Sequence, residues 1–202
     1  MEKMNSKCRG GSFEREVARI LSLWWSGGRS DNVFYRSQSS GARATQRFKV
    51  KKETKFQCGD IAPSNSEGEL LLSKWSIEVK TGYGSRRAIK DENKKTVKKV
   101  IDRWDILDIL DSRQDNPILM TMWEQCKRNA ELSNRKPVLI FRRNNRQSCI
   151  VMETGYFFSL KDWLGRFDGS FCSISDRLIV MALKDFLDWA ISLPCLLQDG
   201  FI

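Results

Sequence analysis

The tetrapeptide Ile77-Glu78-Val79-Lys80 constrains this chain more than any other feature. On an extended strand, side chains two apart share a face, so Ile77 and Val79 point one way and Glu78 and Lys80 the other. Such a strand needs an apolar layer on one side only. A single sheet flanked by helices supplies it, burying Ile61, Ile77 and Val79 and leaving the charged face of the strand in an open groove. Gly59-Asp60-Ile61 precedes this run, separated from it by the turn chemistry of Pro63-Ser64-Asn65-Ser66-Glu67-Gly68. If the two strands are neighbours, Asp60, Glu78 and Lys80 converge.

Hydrophobic periodicity fills in the surroundings. Phe13, Val17, Ile20, Leu21 and Trp24 form one stripe at helical spacing, so a helix is predicted from Ser12 to about Trp25. Gly10-Gly11-Ser12 would supply its lead and cap, and Gly27-Gly28 its stop. Val33 to Ser37 reads as the first strand, Cys58 to Ala62 as the second and Leu70 to Thr81 as the third. An amphipathic helix is expected over 101–112. Pro117 opens another, with Ile118, Met122, Cys126 and Ala130 on one face. Val138–Phe141 and Cys149–Met152 follow as strands joined by a basic hairpin. Beyond Gly155, a short helix capped at Ser159 and a second over about 176–192 are expected.

The predicted fold is therefore α/β: a mixed four- to five-stranded sheet flanked by helices, with a small helical C-terminal extension. The expected division is a main domain over residues 1–155 and an extension over 156–202. A hydrophobic content of 41% suits one ordinary core.

Composition removes several chemistries. The chain has no histidine, which excludes Cys/His zinc fingers, Ser-His-Asp hydrolases, Cys-His proteases and histidine-based nucleases. Its six cysteines contain no Cys-X-X-Cys pair, so no zinc spacing is legible and reduced, partly buried thiols in a cytoplasmic setting are expected. The first residues are polar through Phe13 and no apolar run reaches the length of a membrane span, so neither a secretory leader nor a membrane partner is expected. Carboxylate, lysine and water remain for acid–base and metal work.

Charge is unevenly spread. The net charge is +10, yet residues 153–202 carry four basic and seven acidic side chains, which leaves +13 on residues 1–152. A basic body of this kind suits a polyanion, most simply nucleic acid. The plainer alternative is a solvated basic surface.

Two carboxylates meeting beside a lysine can hold a hard divalent cation next to a phosphate and an attacking water. The bland alternative is a half-solvated hairpin whose charges face water. Three further features accompany the triplet: Gly11-Ser12-Phe13-Glu14-Arg15-Glu16 at the head of the first helix, Arg36-Ser37-Gln38-Ser39-Ser40-Gly41 after the first strand, and Trp123-Glu124-Gln125 in the later helix. Helical geometry leaves open whether Glu14 or Glu16 reaches inward.

With these motifs, residues 9–152 resemble the PD-(D/E)XK nuclease superfamily, most of all archaeal-type Holliday junction resolvases and their phage relatives. The resemblance implies that Asp60, Glu78 and Lys80 are catalytic and that Glu14 is the helix carboxylate. It implies Mg²⁺ as cofactor, with Mn²⁺ as the alternative ion, held by Asp60, Glu78, Glu14 and the Val79 carbonyl, and 5′-phosphate products. Ser37, or a serine at 39–40, matches the family's loop serine, and Gln125 resembles a helix glutamine of many members. The implied setting is the cytoplasm, or the host cytoplasm if a phage encodes the chain. The chain departs from the family in the longer segment between Gly41 and Asp60, in Cys58-Gly59 where many members have proline, and in its last fifty residues.

The implied activity is a metal-dependent, structure-selective endodeoxyribonuclease, a homodimer acting on four-way DNA junctions, since a C2 dimer presents two sites to two strands. Arg36, Ser37, Ser39, Arg43, Arg86, Arg87, Lys94, Lys95, Gln125, Arg142 and Arg143 are the candidate DNA contacts, and their basic members grip backbone rather than bases. Two other readings stay open: a restriction- or repair-type DNA nuclease of the same superfamily, and a non-catalytic nucleic-acid-binding module. The tryptophans read as core or dimer contacts rather than base-stacking platforms.

Overall fold

The computed structural model describes residues 6–37, 58–83, 87–90, 96–100, 118–143, 145–174 and 177–200. The expected helix over 101–112, the basic segment 38–57, and Ser39, Arg43, Arg86, Lys94 and Lys95 lie outside the described residues.

The architecture is α/β, as the sequence predicts. The elements in order are α1 (Ser6–Trp25), β1 (Phe34–Arg36), β2 (Ile61–Pro63), α2 (Ser66–Lys74), β3 (Trp75–Tyr83), β4 (Arg87–Lys90), β5 (Thr96–Val100), α3 (Ile118–Glu131), β6 (Lys136–Arg143), β7 (Ser148–Glu153), α4 (Thr154–Leu164), β8 (Phe171–Ile174), β9 (Leu178–Ala182), α5 (Leu183–Trp189) and α6 (Leu193–Gln198). Five strands form one mixed sheet in the order β3-β6-β7-β9-β8. β3 and β6 run parallel, with Glu78 opposite Leu139 and Lys80 opposite Phe141. The other pairings in this sheet are antiparallel. β1 with β2, and β4 with β5, form separate two-stranded ribbons.

Alternation along the strands splits the core in two. Ile77, Val79, Val138, Ile140, Ile150, Met152, Ile179 and Met181 point to the side of α1 and join Phe13, Val17, Leu21 and Trp24. Leu139, Phe141, Val151 and Leu178 point to the opposite side and pack under Leu119, Met122, Trp123 and Cys126 of α3. The sheet is thus covered on both faces, the arrangement that a parallel β3–β6 pair with a helical crossover requires. Trp24, Trp25, Trp75 and Trp123 are buried, in keeping with a core role, whereas Trp163 is 52% exposed. No helix among the described residues is long and apolar enough to cross a membrane.

Several element boundaries differ from the sequence reading. α1 begins at Ser6 and runs through Gly10-Gly11-Ser12 instead of being capped there. Its stop is as expected: Gly27 and Gly28 have positive φ, and their amides return to the Trp24 and Leu23 carbonyls. The long strand expected over 70–81 is a helix followed by a strand. Asn65 caps α2, accepting from the Gly68 amide at 3.2 Å, and Glu67, Glu69 and Lys74 complement its dipole.

The C-terminal segment is helical only in part. Ser159 lies inside α4, bonded to the Gly155 carbonyl, rather than at its cap. Residues expected as one helix over 176–192 divide into β9 and α5. Leu178-Ile179-Val180-Met181-Ala182 is an unbroken apolar run, a pattern that suits a fully buried strand as well as a helix. The expected boundary near 155 falls where β7 meets α4, and the residues after it add two strands to the same sheet and side chains to the same core.

Candidate active site

β3 is an edge strand of the five-stranded sheet, with β6 on one side. Cys58-Gly59-Asp60 lies along the other. The Asp60 amide donates to the Ile77 carbonyl at 2.7 Å. Gly59 makes this approach feasible: its φ is +107°, and a Cβ there would stand 2.8 Å from the Ile77 carbonyl oxygen. Asp60 therefore reaches β3 from a bend just before β2, and β2 itself pairs with β1 rather than with β3.

The side chain follows the backbone. Asp60 Oδ2 accepts from the Val79 amide at 2.9 Å. In a strand, the N–H and C=O of one residue point to the same edge, so the Val79 carbonyl also faces the Asp60 side. Asp60 is 4% exposed and Glu78 2% exposed.

Glu78 is not in an open groove, contrary to expectation. α3 lies over it, because Leu139 and Phe141 on the same sheet face draw the helix down. Gln125 Nε2 donates to Glu78 Oε1 at 3.0 Å and Asn129 Nδ2 to Oε2 at 3.0 Å. Lys80 Nζ forms an ion pair with Oε1. Burial, reinforced by the Asp60 charge, raises the Glu78 pKa above its ordinary value, and Lys80 opposes the shift. The Cys126 thiol behind it is driven well up by burial and by Glu78, so it stays protonated. Cys58, Cys126, Cys149, Cys172 and Cys195 are free thiols.

Asn129 was not foreseen from the sequence. Its signal was there: it follows Gln125 by four residues, on the same helix face. Arg135 was also missed. It donates from Nη2 to the Cys58 carbonyl at 2.7 Å, and from Nη1 to the Leu72 carbonyl at 2.8 Å and the Trp75 carbonyl at 3.2 Å.

The expected residues divide into three groups. Asp60, Glu78, Lys80, Val79 and Gln125 come together. Ser37, 6% exposed, joins them through its backbone, its amide donating to the Asp60 carbonyl at 2.8 Å. Glu14 does not gather with Asp60 and Glu78 into a three-carboxylate group; its carboxylate is ion-paired with Arg36. Glu16 instead accepts from both terminal guanidinium nitrogens of Arg142, at 2.6 and 2.8 Å, while that guanidinium stacks 4.2 Å from the Phe13 ring centroid. Arg143 ends β6 beside Arg142, and Arg87 lies on β4 in the separate ribbon.

The donor set suits a hard divalent ion. Among the described residues no group of three or more acidic, cysteine or histidine side chains forms a metal cage. Mg²⁺ commonly takes only one or two carboxylates and keeps its waters, so Asp60, Glu78 and the Val79 carbonyl meet its needs. Glu78 receives three described donors, fewer than the four or so lone-pair sites of a carboxylate. Among the described residues the two buried carboxylates stand against the Lys80 ammonium, an excess of negative charge that a cation would balance.

No family model, curated protein or solved structure matches the chain.

Proposed function

We propose that this protein is a metal-dependent, structure-selective endodeoxyribonuclease of the PD-(D/E)XK type, and that it resolves four-way DNA junctions as a homodimer. The observation that supports it best is the binding of Asp60 to the Val79 amide, which places a second carboxylate beside the Glu78–Lys80 pair on one strand edge.

In this reading Asp60, Glu78 and the Val79 carbonyl hold Mg²⁺, or Mn²⁺ in its place. The ion supplies Lewis acidity and lowers the pKa of a bound water. Gln125 and Asn129 fix both oxygens of Glu78, so its rotamer is set before any ligand arrives. Lys80 offers N–H groups to a phosphoryl oxygen and offsets its growing negative charge. Glu14 acts here through Arg36, orienting a cation for the DNA backbone, instead of binding metal. Arg36, Arg142 and Arg143 add phosphate contacts that are sensitive to salt and poor in sequence information.

The test is cleavage of a labelled four-way junction beside matched linear duplex, with Mg²⁺, Mn²⁺ or EDTA, by wild type and Glu78→Ala. Paired nicks in the junction alone, absent in EDTA and in the variant, are expected. Cutting of both substrates would keep the nuclease and discard the junction. Binding in EDTA with no cutting under any condition would replace the enzyme with a nucleic-acid-binding module.

A further inference from the structure

Asp60 stands outside the five-stranded sheet, and among the described residues two hydrogen bonds, to Ile77 and from Val79, hold it to the strand of Glu78, so the path of the chain leading into Asp60 also bears on that spacing. The turn between α3 and β6 supplies a candidate. Asn134 adopts φ +50°, which turns the chain sharply, and the Arg135 amide returns to the Ala130 carbonyl at 3.1 Å. The Arg135 side chain then passes inward. Its Nε is anchored on Ser133 Oγ at 2.8 Å. Its two terminal nitrogens reach three carbonyls from three segments: Leu72 in the last turn of α2, Trp75 at the start of β3, and Cys58 two residues before Asp60. Ser76 Oγ adds a weaker contact to the Cys58 carbonyl at 3.3 Å.

No carboxylate among the described residues pairs with Arg135. A guanidinium that exchanges hydration for three carbonyls and the Ser133 hydroxyl is costly, and burial lowers its pKa while the Cys58 side chain opposes the shift. The arrangement suits a fork with five N–H groups in fixed geometry, which lysine cannot reproduce. It also partly satisfies the open carbonyl end of α2.

We infer that Arg135 is a positioning residue that sets the Asp60–Glu78 spacing. One guanidinium joins the approach to Asp60 to the strand carrying Glu78. Its own turn ends the helix whose Gln125 and Asn129 hold Glu78 from the other side. The effect on cleavage rests on the nuclease reading above; the effect on structure does not.

Amide hydrogen exchange on the ¹⁵N-labelled full chain in EDTA tests it. The Val79 amide reports on the Asp60 carboxylate directly, and the Asp60 amide reports on its backbone bond to Ile77. In Arg135→Met, both should exchange about ten- to a hundredfold faster, while Ile150 and Val151 in β7 keep wild-type rates. Arg135→Lys should fall between, and it carries the comparison alone if the Met variant does not fold. Unchanged Val79 exchange, or equal acceleration at all four amides, would overturn the inference. In Mg²⁺ with junction DNA, kcat should fall with KM held within about twofold. A wild type that cuts no DNA would remove the nuclease reading and leave the exchange result to decide Arg135. An active wild type with an unaltered exchange pattern in both variants would overturn Arg135 alone.

Discussion

The Val79 amide binds Asp60 Oδ2 at 2.9 Å, and so fastens a carboxylate from outside the five-stranded sheet to the strand that carries Glu78 and Lys80. The bond turns a strand edge into a meeting place for two acids. It also sets a cost, because the Asp60 charge adds to burial in raising the Glu78 pKa and Lys80 offsets the two only in part.

Asp60→Asn separates these effects. Asparagine keeps an oxygen for the Val79 amide and removes the charge that helps raise the Glu78 pKa. The metal-free variant should gain about 1 kcal/mol in urea denaturation, as substitutions at strained functional sites commonly do. Mg²⁺-dependent cleavage should fall by at least about a hundredfold. A less stable variant would show that Asp60 is structural.

Stability without metal should also depend on pH in a definite direction. Glu78 has a folded-state pKa raised above its ordinary 4.5, so the folded chain holds that proton more tightly than the unfolded chain. Its contribution is fully present below pH 4.5 and is lost as pH rises through the folded value. Denaturation in EDTA should show this loss, superposed on the contributions of other groups, and a plot of wild type minus Glu78→Ala isolates it. Mg²⁺ should restore stability on the high-pH side by binding only the folded, ionised pair. A difference curve flat across this range would refute the assigned shift.

Periodicity decides which elements of this fold are legible in the sequence. Period-two alternation over Ile77–Lys80 marks β3, the short apolar runs Val138–Phe141 and Cys149–Met152 mark β6 and β7, which are buried on both faces, and the helical stripe marks α1 and α3. The same rule failed for Leu178 to Ala182, an unbroken apolar run that both a helix and a strand can bury. It failed for α2 because the local signals, Asn65 as cap and acids in the first turn, lay inside what reads as turn chemistry. It gave no strands at β4 and β5, where lysines interrupt the pattern. At the site, Asp60, Glu78 and Lys80 were legible from spacing. Arg135 was not, since apart from the neighbouring Ser133 hydroxyl its hydrogen-bond partners are the carbonyls of Cys58, Leu72 and Trp75, which no side-chain pattern announces.

Gly59→Ala should be among the most damaging single-methyl changes in the chain. The new Cβ meets the Ile77 carbonyl at 2.8 Å, and φ of +107° is itself unfavourable for alanine. A loss of about 2–4 kcal/mol in chemical denaturation is expected, with the Asp60–Ile77 backbone bond the first to weaken. Gly155→Ala is the control, since nothing lies within 4 Å of a Cβ there. Equal effects from the two substitutions would mean that Gly59 is not a point of close approach.

Glu16 and Arg142 offer a test of the proposed DNA contacts that spares the carboxylate pair. Their two-bond ion pair is partly exposed, with side-chain exposures of 44% and 32%. Pairs of this kind contribute about 0–1 kcal/mol to stability, so Glu16→Gln should leave the melting temperature nearly unchanged. The substitution removes a negative charge and loosens the guanidinium from its carboxylate. Affinity for DNA should therefore rise about three- to tenfold at low salt, and the slope of log K against log salt should steepen by up to about one unit. Arg142→Ala should do the reverse, weakening all DNA sequences alike. Binding isotherms at four salt concentrations with a catalytically silent Glu78→Ala background measure both. Identical slopes in all three proteins would place Arg142 off the DNA path, with Glu16 and Phe13 as its whole role.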